Sequence, residues 1–421
     1  MSARLHRLAN GVRIVCDPMP DLETLAVSVV AGRGARAEAE HQSGWAHLLE
    51  HMVFKGAGDR SARDIVEVIE AGGGQINAAT SYERTSFQVR ALKGGLALAL
   101  EVLADLVLRP TLDAEELERE KAVIGQEIAE AADAPDDRVF DLAQSRAFAG
   151  RPLGRPILGE VQTIGVADAA ALAVFRAGQY APDRLVISAA GAVDEAELLA
   201  LVERLFGGEP ALQGPEPETA AFVAGFASET RKLEQAHTVL LLPGVGARDE
   251  AYFAQRLFAE ALGGGMSSRL FQEARERLGL AYAIDAYGEA YADTGLLGVY
   301  AGTAAGDATR TAQVSAGQIL ALADGGIEDA ELKRCKAQLK ASLFMARESP
   351  LARAEQAAGQ MLLFDKLFST AEIAQAVEGI GPADIRTYGE QMLAPRKLAG
   401  AVLGSKAALK AGEAFERALF G

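Results

Sequence analysis

The chain has 421 residues, 49% of them hydrophobic, with a formal net charge of −16 and two cysteines. The length exceeds what one hydrophobic core sustains and predicts two domains of about 200 residues, while the acidic balance argues against a nucleic-acid or anionic-membrane partner and suits basic substrates. Cys16 and Cys335 lie too far apart in sequence for a disulfide framework or a cysteine-based zinc site.

The first residues, Met-Ser-Ala-Arg-Leu-His-Arg, carry no apolar signal region, and no run approaches the roughly 20 apolar residues of a membrane span. A cytoplasmic location is the expectation. Alternating apolar runs then predict strands at about 12–16, 25–31, 84–92 and 186–191, and again at 237–242, 281–288 and 295–302. Helical periodicity predicts helices at 43–55, 61–71, 94–108, 113–132, 167–177 and 195–206. Thr85, Phe87 and Val89 alternate with Ser86, Gln88 and Arg90, as half-exposed antiparallel strands do. Several helices per sheet point to an α+β fold in each half, with a mainly antiparallel sheet.

Within the first of these helices, residues 47–51 read His-Leu-Leu-Glu-His, holding two of the chain's five histidines. At i, i+4 on a helix, His47 and His51 share a face with their Cβ atoms about 5–6 Å apart. Two imidazoles so placed can converge on one zinc ion, each at roughly 2.0–2.1 Å. Glu50 borders the same face and can reach a water at the metal. The order H-x-x-E-H inverts the commoner H-E-x-x-H of zinc peptidases. The alternative is a helix with two satisfied histidines and a solvated glutamate.

Gly32-Arg-Gly-Ala-Arg-Ala-Glu-Ala39 recurs as Gly244-Val-Gly-Ala-Arg-Asp-Glu-Ala251, 212 residues later. Both copies follow a strand-like run and precede a helical pattern, so duplication of one domain is the simplest account. Between the halves, 207–218 is rich in Gly, Pro and Glu, as a linker is. The expected organisation is a first domain over 1–207, a linker over 208–221 and a homologous domain over 222–421. Where the first carries His47 and His51, the second reads Phe258-Ala-Glu-Ala-Leu-Gly-Gly. The second half therefore lacks metal-binding residues at that place.

A hydrolytic zinc site takes three protein ligands, and with no other usable histidine the third should be a carboxylate. The helix over 113–132 has an apolar stripe of Leu117, Ile124 and Ile128, with Glu120 and Glu127 bordering it. A carboxylate beside a buried face needs a partner, which a metal would supply to Glu127. Glu120 would then support the site. Solvated helix surface is the alternative for both, and the plain reading of Glu115, Glu116, Glu118 and Glu130.

In combination these features resemble the M16 (pitrilysin-type) metallopeptidases, the inverzincins, over nearly the whole chain. The short two-domain branch that includes the mitochondrial processing peptidase β subunit is the most similar. That family's H-x-x-E-H followed by a distant Glu matches His47, Glu50, His51 and Glu127, the last 76 residues beyond His51. The resemblance implies one zinc per chain on His47, His51 and Glu127, Glu50 as base, and Glu120 as a supporting carboxylate. Gly73-Gly-Gln-Ile-Asn-Ala-Ala-Thr80 resembles the family's edge strand, implying substrate contacts at Asn77 and Ala78. Arg275-Glu-Arg-Leu-Gly-Leu-Ala-Tyr282 is similar to the family's Arg and Tyr that reach the active site. Asp137 and Asp141 fall where the processing peptidases hold a substrate arginine, and a solvated acidic helix start is the alternative.

The chemistry expected is peptide hydrolysis. Zinc lowers the pKa of a water from about 15.7 toward about 7, Glu50 takes its proton and delivers it to the departing amine, and Tyr282 or Arg275 helps to hold the oxyanion. Peptides would add as a strand beside Asn77 and Ala78. The reading is a zinc metalloendopeptidase, as a homodimer or paired with an inactive relative. The alternative is a catalytically silent partner, or chaperone-like subunit, of such a dimer. A structural role is a third class, disfavoured by the intact motif.

Overall fold

The structure is a computed structural model and describes residues 3–210 and 218–421. Part of the expected linker, 211–217, lies outside the described residues. The chain forms two compact units, each assembled from separated segments.

The first unit holds Met1–Ala129, Arg155–Glu218 and Leu343–Ser369. Its strands are β1 (Arg4–Arg7), β2 (Arg13–Pro18), β3 (Thr24–Ala31), the two-residue pair β4 (Gly56–Ala57) and β5 (Arg60–Ser61), β6 (Gln75–Thr80), β7 (Thr85–Leu92) and β8 (Leu185–Gly191). Six of them make one sheet in the order β1-β2-β8-β3-β7-β6, with β6 at an edge. Only the β2–β8 pairing is parallel. Because side chains alternate across a strand, Ile14, Cys16, Leu25, Val27, Val29, Leu185 and Ile187 point into one core. Helices α1 (Trp45–Val53), α2 (Ala62–Ala71), α3 (Leu96–Leu108) and α4 (Ala114–Asp133) supply Leu48, Leu49, Met52, Ile65, Ile69, Leu100, Leu103, Leu117 and Ile124 to it.

The opposite face of that sheet is also buried. Val15, Val30 and Val186 pack against Ala357, Ala358 and Met361 of the helix Pro350–Phe364. Arg353 of this helix grips Asp17 of β2 through both carboxylate oxygens, at 2.6 and 2.5 Å. A strand such as β8, buried along its whole length, needs cover on both faces, and the second cover comes from late in the sequence.

The second unit holds Glu130–Gly154, Thr219–Ser342 and Thr370–Gly421. Its strands β9 (Gly225–Thr230), β10 (Gln235–Gly244), β11 (Ala281–Ala290), β12 (Gly295–Ala304) and β13 (Ala399–Gly404) form a sheet in the order β11-β12-β10-β13-β9. The β13–β9 pairing is parallel and the rest antiparallel. One face carries a core of Leu240, Leu257, Phe258, Leu262, Ile319, Leu322, Ile385 and Phe415. Helix α5 (Pro135–Ala147) packs on β10, β13 and β9, with Phe140 stacked on Tyr300 of β12 at 5.4 Å.

The fold is α+β, as expected, and every strand and helix read from periodicity is present. The cut expected after residue 207 divides the chain differently from these units. Residues 130–154 belong with the second sheet and 343–369 with the first, because each sheet buries both faces and takes one covering helix from the other half of the sequence. Among the described residues, no helix is long and apolar enough to cross a membrane.

Candidate metal centre

Helix α1 starts at Gly44, whose φ of 91° is a left-handed conformation that suits glycine. A Cβ there would also lie 2.7 Å from both the Gly159 Cα and the Leu158 carbonyl oxygen. Trp45, Ala46, Leu48, Leu49, Met52 and Val53 face the core, which turns His47, Glu50 and His51 to the remaining face. The two imidazole centroids are 4.6 Å apart.

Helix α4 faces them. Asp113 caps it, its Oδ1 accepting from the N–H groups of Glu115 and Glu116 at 2.9 and 3.0 Å. Leu117, Glu120 and Ile124 are buried along its inner side. Two turns beyond Glu120, the Oε2 of Glu127 lies 4.0 Å from His47 Nε2 and 3.7 Å from His51 Nε2. That oxygen is buried and has no hydrogen-bond partner, and neither does His47 Nδ1. Among the described residues, His47, His51 and Glu127 form the group able to hold a metal ion, with donor atoms within 4.8 Å of one another. Bonds of about 2.0–2.1 Å around a tetrahedral zinc place neighbouring donors about 3.3–3.5 Å apart. The set fits a zinc ion after the donors close by at most about 1.5 Å, and an ion there would partner the stranded carboxylate oxygen.

The surroundings prepare these donors. Burial, aided by the charge of His51, pulls the His47 imidazole down to about 4, so its lone pair stays free at neutral pH. Glu120, 4% exposed, accepts from His51 Nδ1 at 3.0 Å on one oxygen and forms an ion pair with Lys55 Nζ at 2.7 Å on the other. A carboxylate at Nδ1 fixes the proton there and leaves Nε2 as the donor, the usual outer support of a metal-bound histidine. Glu50 Oε2 accepts a hydrogen bond from the Thr80 hydroxyl, with the oxygens 2.5 Å apart. Burial raises the Glu50 carboxyl above the ordinary range, against the pull of that hydroxyl and of His51. A raised carboxyl beside a metal set suits proton transfer near neutrality.

The first unit thus brings together His47, Glu50, His51, Glu120 and Glu127. Asn77 and Ala78 lie on edge strand β6, paired on one side with Gln88 and Phe87 of β7, and Thr80 ends the same strand. Asp137, Asp141, Arg275 and Tyr282 lie on the second unit. There Asp137 and Asp141 share a face of α5, and burial raises the Asp141 carboxyl. The Arg275 guanidinium stacks 4.7 Å above the Phe271 ring within a π-helical turn, and Tyr282 is 63% exposed on β11. Sequence reading missed Lys55 and Thr80. Lys55 stands four residues after His51, in the turn just past the end of α1, and that spacing was the one local signal for it; Thr80 had none beyond its place in the strand.

Comparison with known proteins accords with this geometry. The family described as Insulinase (Peptidase family M16) matches residues 13–161, and the one described as Peptidase M16 inactive domain matches 167–339. An uncharacterized zinc protease of Streptomyces coelicolor is 34% identical over 404 residues, covering 94% of this chain and 88% of the relative. An uncharacterized zinc protease of Bacillus subtilis is 35% identical, covering 91% and 94%. In fold, a Helicobacter pylori protease is similar with a TM-score of 0.89 at 20% identity, covering 96% of this chain and 99% of its own. A chain of complex III2 from Candida albicans reaches 0.86 at 19% identity, covering 99% and 100%. By sequence over both halves, the chain belongs to peptidase family M16 and has its short two-domain architecture.

Proposed function

We propose that the chain is a zinc endopeptidase that hydrolyses peptides or unfolded polypeptide segments, with its chemistry in the first unit. The observation that carries this is the convergence of His47 Nε2, His51 Nε2 and the stranded Glu127 Oε2, with the raised Glu50 carboxyl beside them. His47, His51 and Glu127 would hold the ion. When bound, zinc supplies a Lewis acid at which water ionises near neutral pH and carbonyl oxygens are polarised. Glu50 takes the proton of the water that attacks the peptide carbonyl. It then returns that proton to the departing amine as the C–N bond breaks, an assistance worth about 10²–10⁴ in rate. Thr80 holds one Glu50 oxygen and so steadies the carboxylate.

Substrate would lie extended along β6, where Asn77 and Ala78 offer backbone groups at a sheet edge. Such recognition reads main chain more than side chain and favours low sequence specificity. Arg275 and Tyr282 would assist the transition state, and Asp137 with Asp141 would favour a basic residue near the cut. The test is cleavage of an internally quenched peptide by the purified chain, with chelator and zinc add-back. Activity lost with chelator, regained with zinc and cut at least about 10²-fold by Glu50→Gln supports the assignment. Chelator-resistant cleavage, or near-normal turnover by Glu50→Gln, rejects it.

A further inference from the structure

The repeated segment Gly32–Ala39 has a use that the chemistry above leaves aside. Its Glu38 is 4% exposed and reaches the first turn of α1. One carboxylate oxygen accepts from the Gly44 N–H at 3.0 Å, the other from the Ala46 N–H at 2.7 Å. Helix α1 has no side-chain cap of its own, since its N-cap is Gly44, and uncapped first turns fray. The same end is tied further by Trp45 Nε1 donating to the Thr163 carbonyl at 2.9 Å and by Arg155 donating to the Glu38 carbonyl. Burial pushes the Glu38 carboxyl up, and the N–H groups of Ala46 and Gly44, with Arg155, pull it back.

The two histidines differ in how their direction is set. The His51 ring is fixed by Glu120 at Nδ1. The His47 Nδ1 has no hydrogen-bond partner, so the direction of His47 depends on the backbone of the first turn that carries it. In the second copy of the repeat, the corresponding Glu250 is exposed. The helix Tyr252–Gly263 there is preceded by Asp249, whose Oδ1 accepts from the Ala251 N–H at 2.8 Å. Both copies keep the glutamate, and only the copy ahead of the histidines buries it against a helix start.

We propose that Glu38 is a positioning residue of the metal centre, a carboxylate clamp on the first turn of α1 that holds His47 ready for the ion. The inference rests on the reading of His47 as a metal ligand, and its test separates the two. Zinc Kd is measured by competition with a chromophoric chelator on Glu38→Gln and Glu38→Ala, each confirmed folded by circular dichroism. Glu250→Gln serves as the control. Amide exchange of residues 44–48 is followed in the metal-free chain. Loss of the clamp should weaken zinc binding about tenfold, in the range of other outer-shell partners. It should also speed first-turn exchange about tenfold, as loss of a cap does. Exchange in 252–263 should not change, and Glu250→Gln should match wild type. A role in general stability alone would lower Tm and leave the Kd of the folded variant unchanged.

Zinc binding within twofold of wild type by folded Glu38→Gln overturns the proposal, as does unchanged first-turn exchange. Glu38→Gln is nearly isosteric and decides the matter if Glu38→Ala does not fold. Fast exchange of the Gly44 and Ala46 amides in the wild-type chain overturns it without any variant. A wild-type chain that binds no zinc, yet shows the exchange effect, sinks the metal reading and leaves the clamp standing.

Discussion

Glu120→Gln isolates the outer support of the metal set. The carboxylate is 4% exposed and holds two donors, His51 Nδ1 at 3.0 Å and Lys55 Nζ at 2.7 Å. The amide matches its shape but offers one acceptor oxygen, so its NH₂ group must face one of those donors. Lys55 is 31% exposed and can turn to water, whereas His51 is 20% exposed and fixed on α1. The amide oxygen therefore stays with His51 Nδ1 while Lys55 turns to water, and the charge that favoured the Nδ1 tautomer is gone. The cost to the metal-free fold should be about 1–3 kcal/mol, the range for a buried donor deprived of a charged acceptor. Zinc affinity should fall about 10–100-fold, equivalent to about 1.4–2.8 kcal/mol. Chelator competition at fixed pH and ionic strength reads the affinity, and urea unfolding of the metal-free chain reads the stability. Lys55→Met should show a smaller loss of affinity, because His51 alone still orients the carboxylate. A folded Glu120→Gln with a Kd within twofold of wild type, about 0.4 kcal/mol, would refute the reasoning.

The helix Pro350–Phe364 should be indispensable to the first unit. Arg353→Met leaves Asp17, 4% exposed, without its partner, a break that costs about 3–5 kcal/mol for a buried pair; a change under about 1 kcal/mol in urea unfolding would contradict this. Residues 1–207 expressed alone lack that helix and leave Val15, Val30 and Val186 uncovered, so they should lack cooperative unfolding, and a sharp two-state transition would count against the packing described. Burial pushes the thiols of Cys16 and Cys335 from the ordinary 9.0 up to about 11. The folded chain thus holds those protons more tightly than the unfolded one, and the associated stability is full below about pH 9 and lost as pH rises toward 11. At pH 8 a thiol-specific disulfide reagent should label neither cysteine until denaturant is added, and rapid labelling of the native chain would oppose the burial assigned to them.

Much of the site was legible because its chemistry is local. His47, Glu50 and His51 fall within five residues of one helix, and their spacing sets their shared face whatever the rest of the chain does. Period made Glu127 a candidate, two turns from Glu120 beside a Leu117 and Ile124 stripe, and the resemblance, with its Glu 76 residues beyond His51, set it apart from solvated surface. Glu38 was not, because in an Ala- and Glu-rich stretch nothing local separates a buried carboxylate from a solvated one. Its burial depends on Arg155 and on the close approach of Gly44 to Gly159, more than a hundred residues away. The placement of Pro350–Phe364 was hidden for a related reason. Its small apolar face of Ala354, Ala357, Ala358 and Met361 marks an amphipathic helix, but no periodicity says which sheet it covers. Short edge strands such as β1, with four residues and mostly exposed side chains, carry too little alternation to be read.

The account's central claim is that the first unit holds one zinc ion on His47, His51 and Glu127. The most direct measurement is elemental analysis of metal per chain, for wild type and for His51→Ala, with circular dichroism confirming that the variant folds. About one zinc per wild-type chain and none in His51→Ala is the expected result, since among the described residues only these three donors converge. Full zinc retention by folded His51→Ala, or a wild-type chain that stays metal-free in excess zinc, would contradict it.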